Sequence, residues 1–362
     1  MKKIMFLITG LGLGGAEQML LKILPKLNED FEITLVSILG IKDIGKKIEK
    51  KGIKVIYLNE SKKFHLISSI FNFRKLIKDN DPKVLVTILI HADLFGRFFG
   101  KLFGIKRIYS SIRNDNSKLT ILNKIDSFSR FLVDLYLPNS EALIDVLHKK
   151  NKIPLKKIKV IPNGIDLNLL MKNIDINYNL KNELKISKNK IILTCVARFK
   201  TQKNHKILIE AFSKIRNKKS ILILFGYGPE EIYLRKLVNK FHLNKKVFFI
   251  DGKKINTSSI LSNSDIFILP SIIEGMSNAL LEAMAFKLPC IVSNIPQNTI
   301  LIKNKSQGLV FETMNSKDLA NKIDILVSNK NLMKEYGQNS FELINEKYLI
   351  DKIVIKFRKI LN

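Results

Sequence analysis

Two carboxylates, Glu274 and Glu282, flank a sharp break in the stretch Ser271–Cys290, SIIEGMSNALLEAMAFKLPC. The apolar run Asp265–Pro270 before it has the length and β-branched content of a buried parallel strand. Pro270 and Gly275 end that pattern, and Ser277 suits the N-cap of a helix through Asn278–Lys287. The helix is apolar nearly all round, so burial is expected. Asn278 and Glu282 are the exceptions, four apart and therefore on one face. Free N–H groups of the first turn, at Ser277, Asn278 and Ala279, form an anion site. At a rise of about 1.5 Å per residue, Glu282 lies roughly 6 Å beyond them. A nucleotide diphosphate seated there would bring its ribose hydroxyls to Glu282. Glu274, in the preceding loop, would then reach the group beyond the phosphates. A buried helix with one salt-bridged Glu is the plainer alternative.

Other chemistry-bearing residues follow strand-like runs. Arg198 and Lys203, in ARFKTQKNH, come after the strand Lys190–Ala197. Two cations there suit a diphosphate and could neutralise charge on a departing nucleotide. His91 follows Val84–Ile88, and Arg113 and Asn114 follow Arg107–Ser111, so all three are expected at one sheet edge as candidate catalytic residues. A lone His is more often structural than catalytic. Gly10, Gly12 and Gly15 satisfy G-x-G-x-x-G between a strand and a helix, which would suit a dinucleotide and a dehydrogenase. The acid expected at the end of the second strand is missing, since Ile38 leads into Leu39-Gly40-Ile41-Lys42. The turn is better suited to close approach of a substrate or phosphate to the amides of Gly14 and Gly15.

Positioning such residues takes a repeated α/β frame. The 362 residues suffice for two ordinary domains, and 46% apolar with 26% charged is a globular composition. Strand and helix alternate through residues 1–168, which argues for a parallel sheet. A polar, Asn-rich linker is expected over 169–189. Alternation restarts over 190–347, and a last helix in 348–362 is a candidate to cross back to the first domain. The simplest reading is α/β: two Rossmann-like parallel-sheet domains facing across a cleft, ligands at the carboxyl ends of the strands. Cys195 and Cys290 sit in apolar runs and read as buried thiols of a reducing compartment. MKKIMFLITGLGLGGA imitates a signal peptide but breaks into glycines, so it reads as a first strand and turn, and a cytoplasmic protein is expected.

Net charge is +30, from 62 basic and 32 acidic residues. It fits nucleic acid, anionic lipid or an anionic substrate. The excess is spread evenly, which favours compositional drift, but Lys149–Lys159 holds six lysines and no acid. Phe95, Phe98, Phe99, Leu102 and Phe103 with Arg97 and Lys101 suit either a core helix or a helix docked on anionic membrane. The phenylalanines do not form a base-stacking platform, so a nucleic-acid partner is not expected.

These motifs resemble the group-one retaining glycosyltransferases of the GT-B fold, over almost the whole length. GLGGAE (Gly12–Glu17), LPNSEAL (Leu137–Leu143), VIPNGID (Val160–Asp166), ARFKTQKNH and FGYGPEE (Phe225–Glu231) each resemble a family landmark. Glu274 and Glu282 reproduce the E-x7-E signature. The resemblance implies sugar transfer from a nucleotide-sugar, a UDP-sugar by expectation, to a glycan or lipid-linked acceptor in surface polysaccharide, lipopolysaccharide or capsule synthesis. It implies that Glu282 binds ribose, Glu274 contacts the sugar, and Arg198 and Lys203 hold the diphosphate. Gly226 and Gly228 match the G-x-G-P turn of the donor site. The chain departs from the pattern at SSIRND (Ser110–Asp115), where many members have a His, and at NIPQNTI (Asn294–Ile300), which lacks a usual Glu. A GT-B epimerase or phosphorylase is the nearest rival, and a basic RNA- or lipid-binding protein without chemistry the more distant one.

No cofactor and no metal are expected. The one Asp-x-Asp pair, Asp79-Asn80-Asp81, falls at the amino end of a strand, whereas ligands gather at the opposite edge. Transfer by enzyme stripped of metal is therefore expected to persist in EDTA. Activity that vanished and returned with Mn²⁺ would mean that a metal handles the leaving group.

Overall fold

The computed structural model describes residues 1–61, 63–113 and 120–362. The chain forms two compact units: Met1–Gly164 together with Ile350–Asn362, and Ile165–Leu349.

Unit 1 is built on strands β1 (Lys2–Ile8), β2 (Phe31–Ser37), β3 (Lys54–Tyr57), β4 (Val84–Ile88), β5 (Arg107–Ile112) and β6 (Leu135–Pro138). They pair in parallel in the order β3-β2-β1-β4-β5-β6. Parallel neighbours need crossover helices, which cover both faces, so the strands read as apolar runs rather than alternations. Successive side chains still point to opposite faces. Ile4, Phe6 and Ile8 enter one core, while Met5 and Leu7 enter the other with Phe73 and Phe95.

Unit 2 repeats the winding with β7 (Ile191–Val196), β8 (Ser220–Gly226), β9 (Val247–Asp251), β10 (Ile266–Leu269), β11 (Cys290–Ser293) and β12 (Gly308–Phe311). All neighbours are parallel, in the order β12-β11-β10-β7-β8-β9. In each sheet the crossovers change direction once, between β1 and β4 and between β7 and β10. Such a switch point opens a crevice above the carboxyl ends of the strands. The expected pair of parallel α/β sheets is thus present.

Two features differ from expectation. Residues 169–189 are not a bare linker. They carry parts of the helices Leu167–Lys172 and Leu180–Glu183, whose Leu170 and Leu180 are buried in unit 2. Edge strand β12, four residues beginning with Gly, was not anticipated. Cys195 and Cys290 are free and buried. Among the described residues, no helix is long and apolar enough to cross a membrane.

The helix Ile350–Leu361 belongs to unit 1, where it packs on the helix Gly15–Leu27. Phe357 meets Phe6 with ring centroids 6.0 Å apart, and Asp351 pairs with Lys26 at 2.8 Å. Gly164 lets the chain pass close by, since a methyl there would stand 2.9 Å from the Ile350 Cα. Ile350, Ile353, Val354, Phe357 and Leu361 are buried in the unit 1 core, each contributing roughly 1.5–3 kcal/mol. Together they rival the whole stability of an ordinary domain, about 5–15 kcal/mol. Deleting 350–362 is expected to abolish cooperative unfolding of unit 1 while unit 2 keeps its own transition. Two intact calorimetric transitions in the shortened chain would refute this.

Candidate functional site

In unit 2 the chain leaves β7 and β10 with charged residues on both sides of the switch point. Past β7, the backbone at Phe199 is tied to the end of β8. Its N–H donates to the Tyr227 carbonyl at 2.9 Å, and its carbonyl accepts from Glu230 N–H at 3.1 Å. Gly226 (φ 155°) and Gly228 (φ 159°) permit this contact. A methyl on Gly226 would stand 2.0 Å from the Ala197 carbonyl oxygen, and one on Gly228 2.4 Å from that of Phe199. The turn thereby sets Arg198 over the Tyr227 ring, 5.5 Å from its centroid, with Lys253 Nζ 4.5 Å from the same centroid. Lys253 escaped the sequence reading, and Tyr227 entered it only as the middle of the glycine turn. The available signal was a lysine two residues beyond the end of a strand.

Lys203 ends a short 3₁₀ turn, Thr201–Lys203. Its Nζ donates to Glu274 Oε1 at 2.5 Å, and Ser271 Oγ donates to the same oxygen at 2.6 Å. The pair is nearly dry, with side chains 19% and 8% exposed. Behind it, Ser293 Oγ donates to the Ser271 carbonyl at 2.5 Å, and Asn298 Nδ2 to Ser293 Oγ at 3.0 Å. The loop after β10 is therefore fixed from the end of β11. Ser277 caps the helix Asn278–Ala285 by accepting from Leu280 N–H at 3.3 Å. Asn278 and Ala279 open that helix, half-buried, and Glu282 lies half-buried one turn along. Spacing had placed Lys203 and Glu274 near one ligand; their direct ion pair was not foreseen.

Two buried groups beside this pair are chemically quiet. Burial pushes the Cys195 thiol up to about 12, which keeps it protonated. His205 opens the helix His205–Phe212, its ring edge-on to Phe199 at 5.0 Å, and neither ring nitrogen has a hydrogen-bond partner. Burial, then the Lys203 charge, lowers its pKa from 6.5 to about 3.

In unit 1 the switch point lies between β1 and β4. Gly14 caps the helix Gly15–Leu27, and a methyl on it would stand 2.2 Å from Glu17 Oε2. The Glu17 carboxylate thus lies against the backbone of Gly14, in the turn expected to receive a substrate. Past β4, Leu89 takes φ 70°, unusual for a branched side chain. The helix Ile90–Leu102 then starts, with His91 exposed on its first turn. Arg113 follows β5 and donates from Nη1 to Asn163 Oδ1 at 2.8 Å, while its buried Nε has no partner. Burial lowers its pKa to about 10, with the Glu17 charge acting in the opposite sense. Asn114 lies outside the described residues. A cavity of about 520 Å³ opens at this edge, with His91 and Arg113 both on its wall.

Arg97 is not a basic surface position. It is fully buried, bonded to Asp93 (Nη2 to Oδ2, 2.5 Å) and Asp126 (Nη1 to Oδ1, 2.8 Å), and Phe95 is buried too. Asp93 on the same helix and Asp126 on another meet its charge, which removes Arg97 from any membrane face. Asp81, of the Asp-x-Asp pair, terminates the helix Leu66–Asn80 in a left-handed conformation and pairs with Lys83. Among the described residues, no three His, Cys, Asp or Glu side chains cluster to hold a metal.

Residues 177–343 match the family described as Glycosyl transferases group 1, and residues 13–169 match Glycosyltransferase Family 4. An Escherichia coli protein named UDP-Gal:alpha-D-GlcNAc-diphosphoundecaprenol alpha-1,3-galactosyltransferase is 26% identical over 294 residues, 75% of this chain and 74% of that protein. The Bacillus anthracis N-acetyl-alpha-D-glucosaminyl L-malate synthase is 30% identical over 240 residues, 66% of this chain and 62% of that one. In fold, the chain is similar to Anabaena Alr3699/HepE, solved in complex with UDP, with TM-score 0.86, 17% identity, and 100% and 99% of the two chains covered.

The neutral His205 makes a testable pH effect. Unfolded, the ring binds a proton below pH 6.5; folded, only near 3. Stability from this group is thus complete above 6.5 and lost as pH falls towards 3, at about 1.4 kcal/mol per pH unit. His205→Phe is expected to gain about 2–3 kcal/mol relative to the parent between pH 7.5 and 4.5. Urea unfolding at the two pH values measures it, and a constant difference would show that His205 does not titrate as a buried neutral ring.

Proposed function

The chain belongs to the group 1 glycosyl transferases, and on that footing we propose what it transfers and how. It moves a sugar from a UDP-sugar to a hydroxyl of a glycan or lipid-linked acceptor, with retained anomeric configuration, in making a surface polysaccharide. The work takes place at the inner face of the membrane, in peripheral contact with anionic lipid. The observation that carries this reading is the dry Lys203–Glu274 pair beside the Ser277-capped helix, at the switch point of the second sheet. The names of the E. coli relative and the UDP complex of HepE support the choice of donor and of a diphosphate-linked acceptor.

In this reading the diphosphate rests on the first-turn amides at Ser277, Asn278 and Ala279, where the helix dipole favours negative charge. Arg198 and Lys203 face the charge that grows as the bond from the anomeric carbon to the diphosphate oxygen breaks. The acceptor oxygen forms its bond on the same face, and its proton leaves with the diphosphate. Glu282 takes the ribose hydroxyls. Glu274 meets the sugar, and because it grips Lys203, sugar and phosphate are read by one rigid pair. Gly226 and Gly228 hold Arg198 in place rather than touching the donor.

Donor-dependent release of UDP, coupled to acceptor product, is the assay. Lys203→Met is expected to lower kcat by about 10²–10³-fold, the scale of one lost charge-stabilising donor. Glu282→Ala is expected to raise the donor KM, and Glu274→Gln to lower kcat at nearly unchanged KM. Unchanged constants in both glutamate variants would move the donor site elsewhere. A β-linked product from an α-linked donor, seen by NMR, would exclude retention.

A further inference from the structure

On the transferase reading, we propose that Asn298 and Ser293 set the choice of donor sugar. They are positioning residues, which hold the peptide between Ser271 and Ile272 so that Glu274 meets the sugar hydroxyls in one orientation.

Asn298 stands on the short helix Pro296–Thr299, where its backbone is fixed. Its N–H donates to the Ile295 carbonyl at 3.0 Å, and its carbonyl accepts from Ile302 N–H at 2.9 Å. Leu301 and Ile302 beside it are buried in the core of unit 2. From that base Asn298 Nδ2 donates to Ser293 Oγ at 3.0 Å. The NH₂ of an amide only donates, so the Ser293 hydroxyl accepts there and turns its own proton onward. That proton goes to the Ser271 carbonyl, at 2.5 Å. The direction of the relay is thereby set.

The Ser271 carbonyl belongs to a peptide that is held at its other edge as well. Ile272 N–H donates to the Gln202 carbonyl at 2.8 Å, and Gln202 directly precedes Lys203. A peptide unit is planar, so bonds at both edges remove its rotation. Ser271 therefore has a fixed backbone from which its hydroxyl donates to Glu274 Oε1 at 2.6 Å, beside Lys203 on the same oxygen. Ser271, Ser293 and Asn298 are at most 1% exposed, so solvent cannot replace a missing link.

Stability does not call for such a relay. A satisfied buried hydrogen bond adds little net, and apolar groups of the same shape do nearly as well. What the relay supplies is direction. A carboxylate free to swing accepts from an axial or an equatorial hydroxyl alike, whereas one held within about 0.5 Å serves one of them. The bond to Gln202 does not depend on Asn298 or Ser293, so the turn carrying Lys203 keeps its anchor without them. Choice of sugar and affinity for the nucleotide are thus separable.

Release of UDP to water, which needs no acceptor, tests the assignment with UDP-glucose, UDP-galactose, UDP-N-acetylglucosamine and UDP-N-acetylgalactosamine. The parent's preferred donor is compared with its 4-epimer. Ser293→Ala is expected to lower kcat for the preferred donor about thirty-fold at nearly unchanged KM. Its kcat ratio over the 4-epimer should narrow about ten-fold. Asn298→Leu leaves the hydroxyl but frees it to turn, and should show about a third of each effect. Ser293→Thr keeps the hydroxyl and should restore both quantities to within about three-fold of the parent. The calorimetric Kd for UDP should stay within about two-fold in all three variants. An equal loss with both epimers, or UDP binding weakened in step with kcat, would reduce the relay to packing and overturn the proposal. No release from any of the four donors by the parent would sink the transferase reading, and this proposal with it. A working parent whose variants keep its selectivity would sink this proposal alone.

Discussion

A nearly dry carboxylate gripped by one lysine governs the second unit. Glu274 alone at that depth would be strongly unfavourable, and so would Lys203. Their bond, with Ser271 on the same oxygen, makes both tolerable and locks the end of β7 to the loop after β10. An apolar pair of the same size would hold those segments together at least as firmly. Charge in this place is therefore better explained by what it presents to a ligand than by what it adds to stability. The chain Asn298–Ser293–Ser271 extends the same logic backwards, fixing the loop without using the carboxylate's second oxygen.

The first unit treats its buried charges unevenly. Arg97 is neutralised so fully, by two aspartates and the hydroxyls of Ser110 and Ser129, that it behaves as part of the core. Arg113, at the end of β5, has an amide as hydrogen-bond partner, while the Glu17 charge favours its charged form against burial. Both lie on one winding pattern, so the difference comes from side chains rather than fold.

Most of the frame could be read from sequence because a parallel sheet leaves an unmistakable trace. Its strands are apolar on both faces, as at Val84–Ile88, and glycine breaks mark their carboxyl ends. Strand β12 left little trace, since its apolar run after Gly308 is too short to stand out. The short helices after Ile165 were hidden by their Asn-rich composition, yet Asp166 and Asn179 are their N-caps. At the site, the residues past β7 and β10 were legible as charges at strand ends. Their pairing was not, because Lys203 and Glu274 are far apart in the chain and only the switch point brings them together. Arg97 misled for the same reason. Its i+4 relation to Asp93 was visible, but Asp126, which completes its burial, comes from another helix.

The packing of Ile350–Leu361 into unit 1 has a bearing on biosynthesis. Nascent chains usually settle domain by domain from the amino end. Here residues 165–349 are one unbroken stretch, whereas the first unit waits for a helix that the ribosome makes after all of them. The later-made unit is thus able to mature first, while the earlier one idles with the β1 surface around Phe6 uncovered. During that interval the exposed sheet face is what a chaperone would recognise, and slow translation near residue 350 would lengthen its exposure.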